Sequence, residues 1–175
     1  YGLSYTSFEW TAGEPSLPAG KISELDAATQ VTVPVTVKNT GEVAGKDVVQ
    51  LYVRAPYDAE TAPIEKSDIT YIDSEKTDLL APGESQTLNI TFNIRDLASF
   101  DWNDVNGNDF KGYEIEAGAY DILLRTDSHT DKNPGFAITY EADENILYNG
   151  EGIDDPLNYN MGYGRNAEAV FSRHD

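Results

Sequence analysis

The stretch VTVPVTVKNTGEVAGKDVVQLYV, residues 31–53, decides the fold class of this chain. Its first seven residues alternate valine with threonine or proline, which is the two-residue period of a β-strand with one apolar and one polar face. Residues 39–41 then have the composition of a turn, and residues 49–53 restore the same period. Two neighbouring strands are therefore predicted. Because Pro34 has no backbone N–H, its strand should have a free edge or a bulge at that point.

The same alternation predicts further strands on both sides of this stretch. It is clearest at residues 88–94 and recurs at 120–124, while 5–10 and 136–140 are expected to be the first and last strands. Segments that contain Gly or Asn separate these runs. About seven such strands predict an all-β fold, an antiparallel two-sheet sandwich of the immunoglobulin or fibronectin type III kind, without the Cys pair of true immunoglobulin domains. One core is expected between the sheets, formed by Val35, Val37, Leu51, Val53, Leu88, Ile90, Phe92 and Ile122.

Composition excludes several classes of partner and site. The 175 residues hold 12 Lys and Arg against 31 Asp and Glu, a formal net charge of −19, so neither nucleic acid nor a membrane surface is an expected partner. No stretch approaches the roughly 20 apolar residues of a membrane span. With no Cys, and with only His129 and His174, the chain predicts no zinc site and no cofactor. The absence of Cys suits a cytoplasmic and a secreted protein equally.

A change of composition after residue 141 predicts two regions. Residues 1–141 are assigned to the sandwich. Residues 142–175 are rich in Glu, Asp, Asn and Gly, which is the composition of a connector or an extension. Because the chain begins at Tyr1 rather than at Met, we expect it to be a piece of a longer polypeptide.

The densest polar segment, DWNDVNGND at residues 101–109, suggests either a calcium loop or a turn. Counted from Asp104, the spacing of an EF-hand puts Asp109 where Gly is required and Ile115 where Glu is required. The pair Asn106-Gly107 is instead typical of a two-residue hairpin turn. We therefore predict a hairpin at this segment and no metal site.

The acidic residues do not predict a catalytic site. Paired carboxylates are typical of glycosidases, but with 31 acidic residues some pairs must fall close together by chance. Nearly all of them are expected at turns, at strand ends or on outward faces, where a carboxyl group keeps its ordinary pKa. The chain also lacks a G-x-S-x-G elbow, a phosphate-binding glycine loop and an H-E-x-x-H helix. No catalytic residue is assigned.

Trp102 is the candidate contact for a carbohydrate, together with Asn103 and Asn106. An exposed indole beside amide side chains can stack on a sugar ring while the amides form hydrogen bonds to its hydroxyl groups. The alternative is that Trp102 packs inside the domain beside Phe100, and we favour that alternative. For Trp10 we also expect core or edge packing.

Six segments in chain order carry a resemblance to a known family: YGLSYTSF at 1–8, VTVKNTG at 35–41, VAGK at 43–46, VVQLYV at 48–53, LAPGES at 80–85 and EAGAY at 116–120. They resemble the fibronectin type III-like domain of glycoside hydrolase family 3 enzymes, the β-glucosidase group. One departure is Ala117, which stands where the family usually has Pro.

The resemblance implies a non-catalytic module. In that family the nucleophile lies on a (β/α)-barrel domain and the acid/base residue usually lies on a neighbouring α/β domain. Neither motif occurs in this sequence. The implied parent is a retaining glycosidase that hydrolyses O-glycosyl bonds, with its two carboxylates about 5 Å apart. The partners implied for this chain are the catalytic domains of the same polypeptide.

The segment FSRHD at 171–175 resembles the lead-in to the barrel in family members with the reversed domain order. On this basis Tyr163, Val170 and Phe171 are predicted to dock against a domain that follows. Two other functions stay open because sandwiches serve them as well: a carbohydrate-binding module, and a protein-binding or adhesive domain.

Overall fold

The computed structural model describes residues 5–130, 132 and 136–148. They form an all-β fold, as predicted, with one short 3-10 helix at Ile94–Leu97. No helix in these ranges is long and apolar enough to cross a membrane. The strands are β1 (Phe8–Ala12), β2 (Gly20–Lys21), β3 (Gln30–Asn39), β4 (Val48–Arg54), β5 (Thr70–Lys76), β6 (Ser85–Asn93), β7 (Ser99–Asp101), β8 (Gly112–Ile115), β9 (Gly118–Arg125), β10 (Ala137–Ala142) and β11 (Ile146–Tyr148).

Two sheets form the body of the sandwich. One has the strand order β1-β3-β6 and the other the order β2-β10-β9-β4-β5. All pairings in them are antiparallel except that of β2 with β10, which is parallel. A third, smaller sheet has the order β11-β8-β7. The predicted two-sheet sandwich is confirmed, and the small sheet is an addition that the alternation pattern did not predict.

The core lies between the two main sheets and contains all eight residues predicted for it, each of them buried. The four valines of β3 and the residues Ile90, Ile122 and Leu124 are fully inaccessible to solvent. The register explains this, because Val35 stands opposite Leu88 and Val33 opposite Ile90. A slip by one residue would turn all these side chains outward, so burial of one face determines the pairing.

Pro34 lies in β3, which pairs with β1 on one side and with β6 on the other. Proline has no N–H to donate to a neighbouring strand. The pairing of β1 with β3 ends at Ala12 opposite Val35, and the N–H of Gly13 then donates to the carbonyl oxygen of Pro34 at 2.8 Å. In an antiparallel strand the nitrogen and the carbonyl of one residue face the same side. The proline nitrogen therefore faces Gly13, the residue after the end of β1, so the missing N–H coincides with the end of the regular pairing. The position is not a free edge, because the N–H of Ser16 also donates to Thr32 of β3.

The described fold extends past residue 141, where the connector was predicted to begin. Strand β10 ends at Ala142, and β11 continues the fold by pairing with β8. The remainder of the predicted connector, with Tyr163, Val170 and Phe171, lies outside the described residues.

Candidate functional site: the 102–111 loop and its buried carboxylates

The predicted two-residue hairpin turn at Asn106-Gly107 is wrong. Strands β7 and β8 do pair, but their last partners are Asp101 and Gly112, so residues 102–111 form a longer loop. Within it, the N–H of Gly107 donates to the carbonyl oxygen of Asp104 at 3.2 Å, and Gly107 has a φ of 69°. Side chains that bond to the loop backbone stabilise this geometry in place of a tight turn.

Asp101 holds the first part of the loop. Its side chain is buried at the end of β7, with 1% of the residue exposed. One carboxylate oxygen accepts a hydrogen bond from the N–H of Asn103 at 2.9 Å, and the other accepts one from the N–H of Val105 at 2.8 Å. A carboxylate that binds two backbone amides in this way fixes the path of the chain as it leaves the strand.

Glu114 holds the second part of the loop from β8. It is fully buried, and its Oε2 accepts hydrogen bonds from the side-chain amides of Asn106, Asn108 and Asn145 at 3.0, 2.8 and 3.4 Å. Its Oε1 has no hydrogen-bond partner among the described residues. Burial raises the pKa of Glu114, the amides of Asn106 and Asn108 oppose that rise, and the carboxylate of Asp101 adds to it.

Glu116 joins the turn after β8 to the chain between β4 and β5. Only 1% of it is exposed, and its Oε1 accepts the N–H of Ile64 at 3.2 Å while its Oε2 binds the ammonium group of Lys66. The carbonyl oxygen of the same residue accepts the hydroxyl of Tyr120 at 3.0 Å. This last bond resembles the tyrosine corner of other sandwiches, in which a Tyr hydroxyl binds the backbone a few residues upstream.

These three carboxylates correct the expectation that the acidic residues lie in solvent. Asp101, Glu114 and Glu116 are buried because backbone N–H groups, Asn amides or a Lys compensate for the lost hydration. In the described part of the chain no group of three or more His, Asp or Glu side chains could hold a metal ion. The arrangement supports the backbone of two loops rather than opening a carboxyl group to a substrate.

The three residues predicted for carbohydrate contact lie in this loop but differ in their availability. Trp102 is 38% exposed, so part of its surface is accessible while the rest is covered by the protein. Its neighbour Phe100 packs against Tyr113, with ring centroids 5.0 Å apart. Asn103 is exposed. Asn106 is committed to the loop, since its amide nitrogen donates to Glu114 and its oxygen accepts the N–H of Asn108 at 3.3 Å.

Trp10 behaves as predicted. It is 6% exposed, and its indole N–H donates to the carboxylate of Asp47 at 2.7 Å.

The sequence reasoning missed Asn108, Glu114 and Asn145. No sequence pattern links these three residues, because they lie in different segments and come together only through the small sheet.

Comparison with known proteins agrees with the sandwich fold. The model of the fibronectin type III-like domain matches residues 47–128. A β-glucosidase from Ruminococcus albus is 38% identical over 142 residues, which are 81% of this chain and 13% of that protein. The β-glucosidase A of Butyrivibrio fibrisolvens is 36% identical over 154 residues, 84% of this chain and 18% of that protein. The chain thus spans less than a fifth of the length of these relatives.

The fold is also found in a solved β-glucosidase. The structure of a β-glucosidase from Paenibacillus barengoltzii superimposes with a TM-score of 0.69 and 33% sequence identity, over 83% of this chain and 15% of that one. The predicted resemblance is therefore confirmed: this chain contains a fibronectin type III-like domain and is homologous to the segment of β-glucosidases of glycoside hydrolase family 3 that carries that domain.

Proposed function

We propose that this chain is a non-catalytic structural module of a family 3 glycoside hydrolase, in which it braces the catalytic domains of the same polypeptide. The observation that carries the proposal is the coverage: about four fifths of this chain matches 13% and 18% of two β-glucosidases. The parent enzyme would hydrolyse O-glycosyl bonds with carboxylates that lie outside this segment.

The roles of the buried carboxylates support a structural function. Asp101 and Glu114 bind groups of the 102–111 loop, and Glu116 binds the backbone and a Lys of the segment between β4 and β5. A rigid sandwich with two fixed loops can hold neighbouring domains at a constant distance. We also propose that Tyr163, Val170 and Phe171 dock against a domain that follows in the parent enzyme.

A carbohydrate-binding module is the second candidate, and the exposure of Trp102 favours it. The indole lies beside the exposed Asn103 on a loop whose backbone is hydrogen-bonded to Asp101, so a sugar ring could stack on it at little entropic cost. Asn106 contributes less than predicted, because its amide nitrogen already donates to Glu114. Among the residues that the structure describes, no particular contact favours the third candidate, a protein-binding or adhesive domain.

Two experiments separate these functions. The purified chain should not hydrolyse an aryl β-glucoside, and hydrolysis that disappears when a single carboxylate is replaced would overturn the proposal. In affinity electrophoresis on soluble glucans, a structural module should migrate unretarded. Retardation that is lost in Trp102→Ala and kept in Tyr57→Ala, an exposed aromatic residue of another loop, would support the second candidate instead.

A further inference from the structure

The 102–111 loop contains two adjacent residues that can react with each other without an enzyme. Asn106 is followed by Gly107, and an Asn-Gly pair is prone to deamidation because glycine has no side chain to hinder attack by its own backbone nitrogen. Gly107 is exposed and Asn106 is half-buried, so water reaches this part of the loop. We propose that Asn106 is a deamidation site that Glu114 and the loop backbone hold unreactive in the folded chain, and whose modification releases the loop.

The reaction needs only water. The backbone nitrogen of Gly107 attacks the side-chain carbonyl carbon of Asn106, a C–N bond forms, and the bond from that carbon to Nδ2 breaks. The amide nitrogen leaves as ammonia and takes the proton that the glycine nitrogen gave up. Water then opens the cyclic imide at either carbonyl, which produces aspartate or isoaspartate at position 106.

The folded loop opposes the first step at both reacting groups. The N–H of Gly107 donates to the carbonyl oxygen of Asp104 at 3.2 Å, which disfavours loss of its proton. The amide of Asn106 donates to Glu114 at 3.0 Å, and its oxygen accepts the N–H of Asn108 at 3.3 Å. Attack therefore requires these bonds to break, so the rate should follow the fraction of time that the loop is open.

The product would not fit the site that held the amide. A carboxylate at position 106 cannot donate to Glu114, and two negative charges would then face each other at hydrogen-bond distance in a partly buried place. Asp101, buried at the base of the same loop, adds a third negative charge nearby. Deamidation should therefore detach the loop from β8 and displace the Trp102 that it carries.

The first test compares rates of deamidation. The chain is kept at mildly alkaline pH either folded or in concentrated urea, and peptides that contain Asn106 are quantified over time by mass spectrometry. We expect the folded chain to react at least about tenfold more slowly at this residue, since only open loops react. Equal rates would refute the protection, and no reaction of Asn106 in urea would refute the reactive site. The pair Asn149-Gly150 in the same sample confirms that the conditions support the reaction.

The second test asks whether Glu114 provides the protection and whether the product releases the loop. The folded Glu114→Met variant, which keeps most of the side-chain volume but has no oxygen to accept the Asn106 amide, should deamidate at Asn106 faster than the wild type. The matched change at an exposed Glu, Glu144→Met, should not alter the rate. Separately, Asn106→Asp should speed amide exchange at residues 103, 105 and 110, whereas Asn89→Asp, the same change at an exposed position of β6, should leave it unaltered. Equal exchange in these two variants would overturn the proposed release.

Discussion

Replacing Lys66 by Met should destabilise this domain far more than removing a Lys from its surface. Lys66 pairs with Glu116, and the two side chains are 6% and 0% exposed. The methionine keeps most of the aliphatic volume of the lysine and removes only the ammonium group. Glu116 would keep the N–H of Ile64 as a donor but would lose its positive partner while remaining buried.

The magnitude follows from this burial. Removing one partner of a buried ion pair leaves an uncompensated charge and costs about 3–5 kcal/mol, a large part of the roughly 5–15 kcal/mol by which small domains are stable. The matched control is Lys21→Met. Lys21 forms its ion pair with Asp143 on the surface, with side chains 72% and 46% exposed, so water replaces the lost partner and little change is expected.

Urea unfolding followed by circular dichroism measures both variants. The midpoint for Lys66→Met should fall clearly below that of the wild type, and that for Lys21→Met should stay close to it, with similar slopes. The double variant Lys66→Met with Glu116→Leu should recover part of the loss, because no buried charge remains. Equal midpoints for the two single variants would refute the claim that this buried pair stabilises the contact between the turn after β8 and the segment that connects β4 and β5.

Three further outcomes are expected. Truncation of the buried Phe92 to Ala should lower the free energy of unfolding by about 3–5 kcal/mol. Thr91→Ala, on the opposite face of β6, should lower it little. Comparable losses for the two variants in urea unfolding would mean that the register of β6 is wrong. Because the pKa of Glu114 is raised in the folded chain, the protonated form stabilises the fold and this contribution is lost as the pH rises through that pKa. The stability of the wild type relative to Glu114→Gln should therefore fall as the pH rises through the raised pKa of Glu114, and a difference that does not change with pH would contradict the assignment. A chelator should leave the melting temperature unchanged, since backbone amides occupy the oxygens of Asp101, and a drop that calcium reverses would refute this.

The body of the sandwich could be predicted because its strands are long and have one buried face. In β3 and β6 the two-residue alternation identifies the strands, and the apolar faces must meet, so the core follows from the pattern. The end of the β1–β3 pairing beside Pro34 also agrees with the missing N–H of proline. Because one face of each strand is buried, the strands and the core can be identified from the order of apolar and polar residues within a short segment.

The small sheet could not be predicted in the same way. Strands β7 and β11 have three residues each and β8 has four, which is too short for a period to be recognised. Glu114 and Glu116 are charged, and a charged residue is normally exposed unless it is paired. Their partners Asn145, Ile64 and Lys66 are 31, 52 and 50 residues away in the chain. Only the fold brings these groups together, so sequence reasoning left the carboxylates in solvent.

The proposed structural role is tested most directly by binding between this chain and the rest of the proposed parent enzyme. The two parts would be expressed separately and mixed, and binding would be followed by titration calorimetry and by the melting temperature of the catalytic part. A bracing module should bind with one-to-one stoichiometry and raise that melting temperature in proportion to its saturation. If the catalytic part melted at the same temperature with and without this chain, and no heat of binding were detected, the chain would not be a brace.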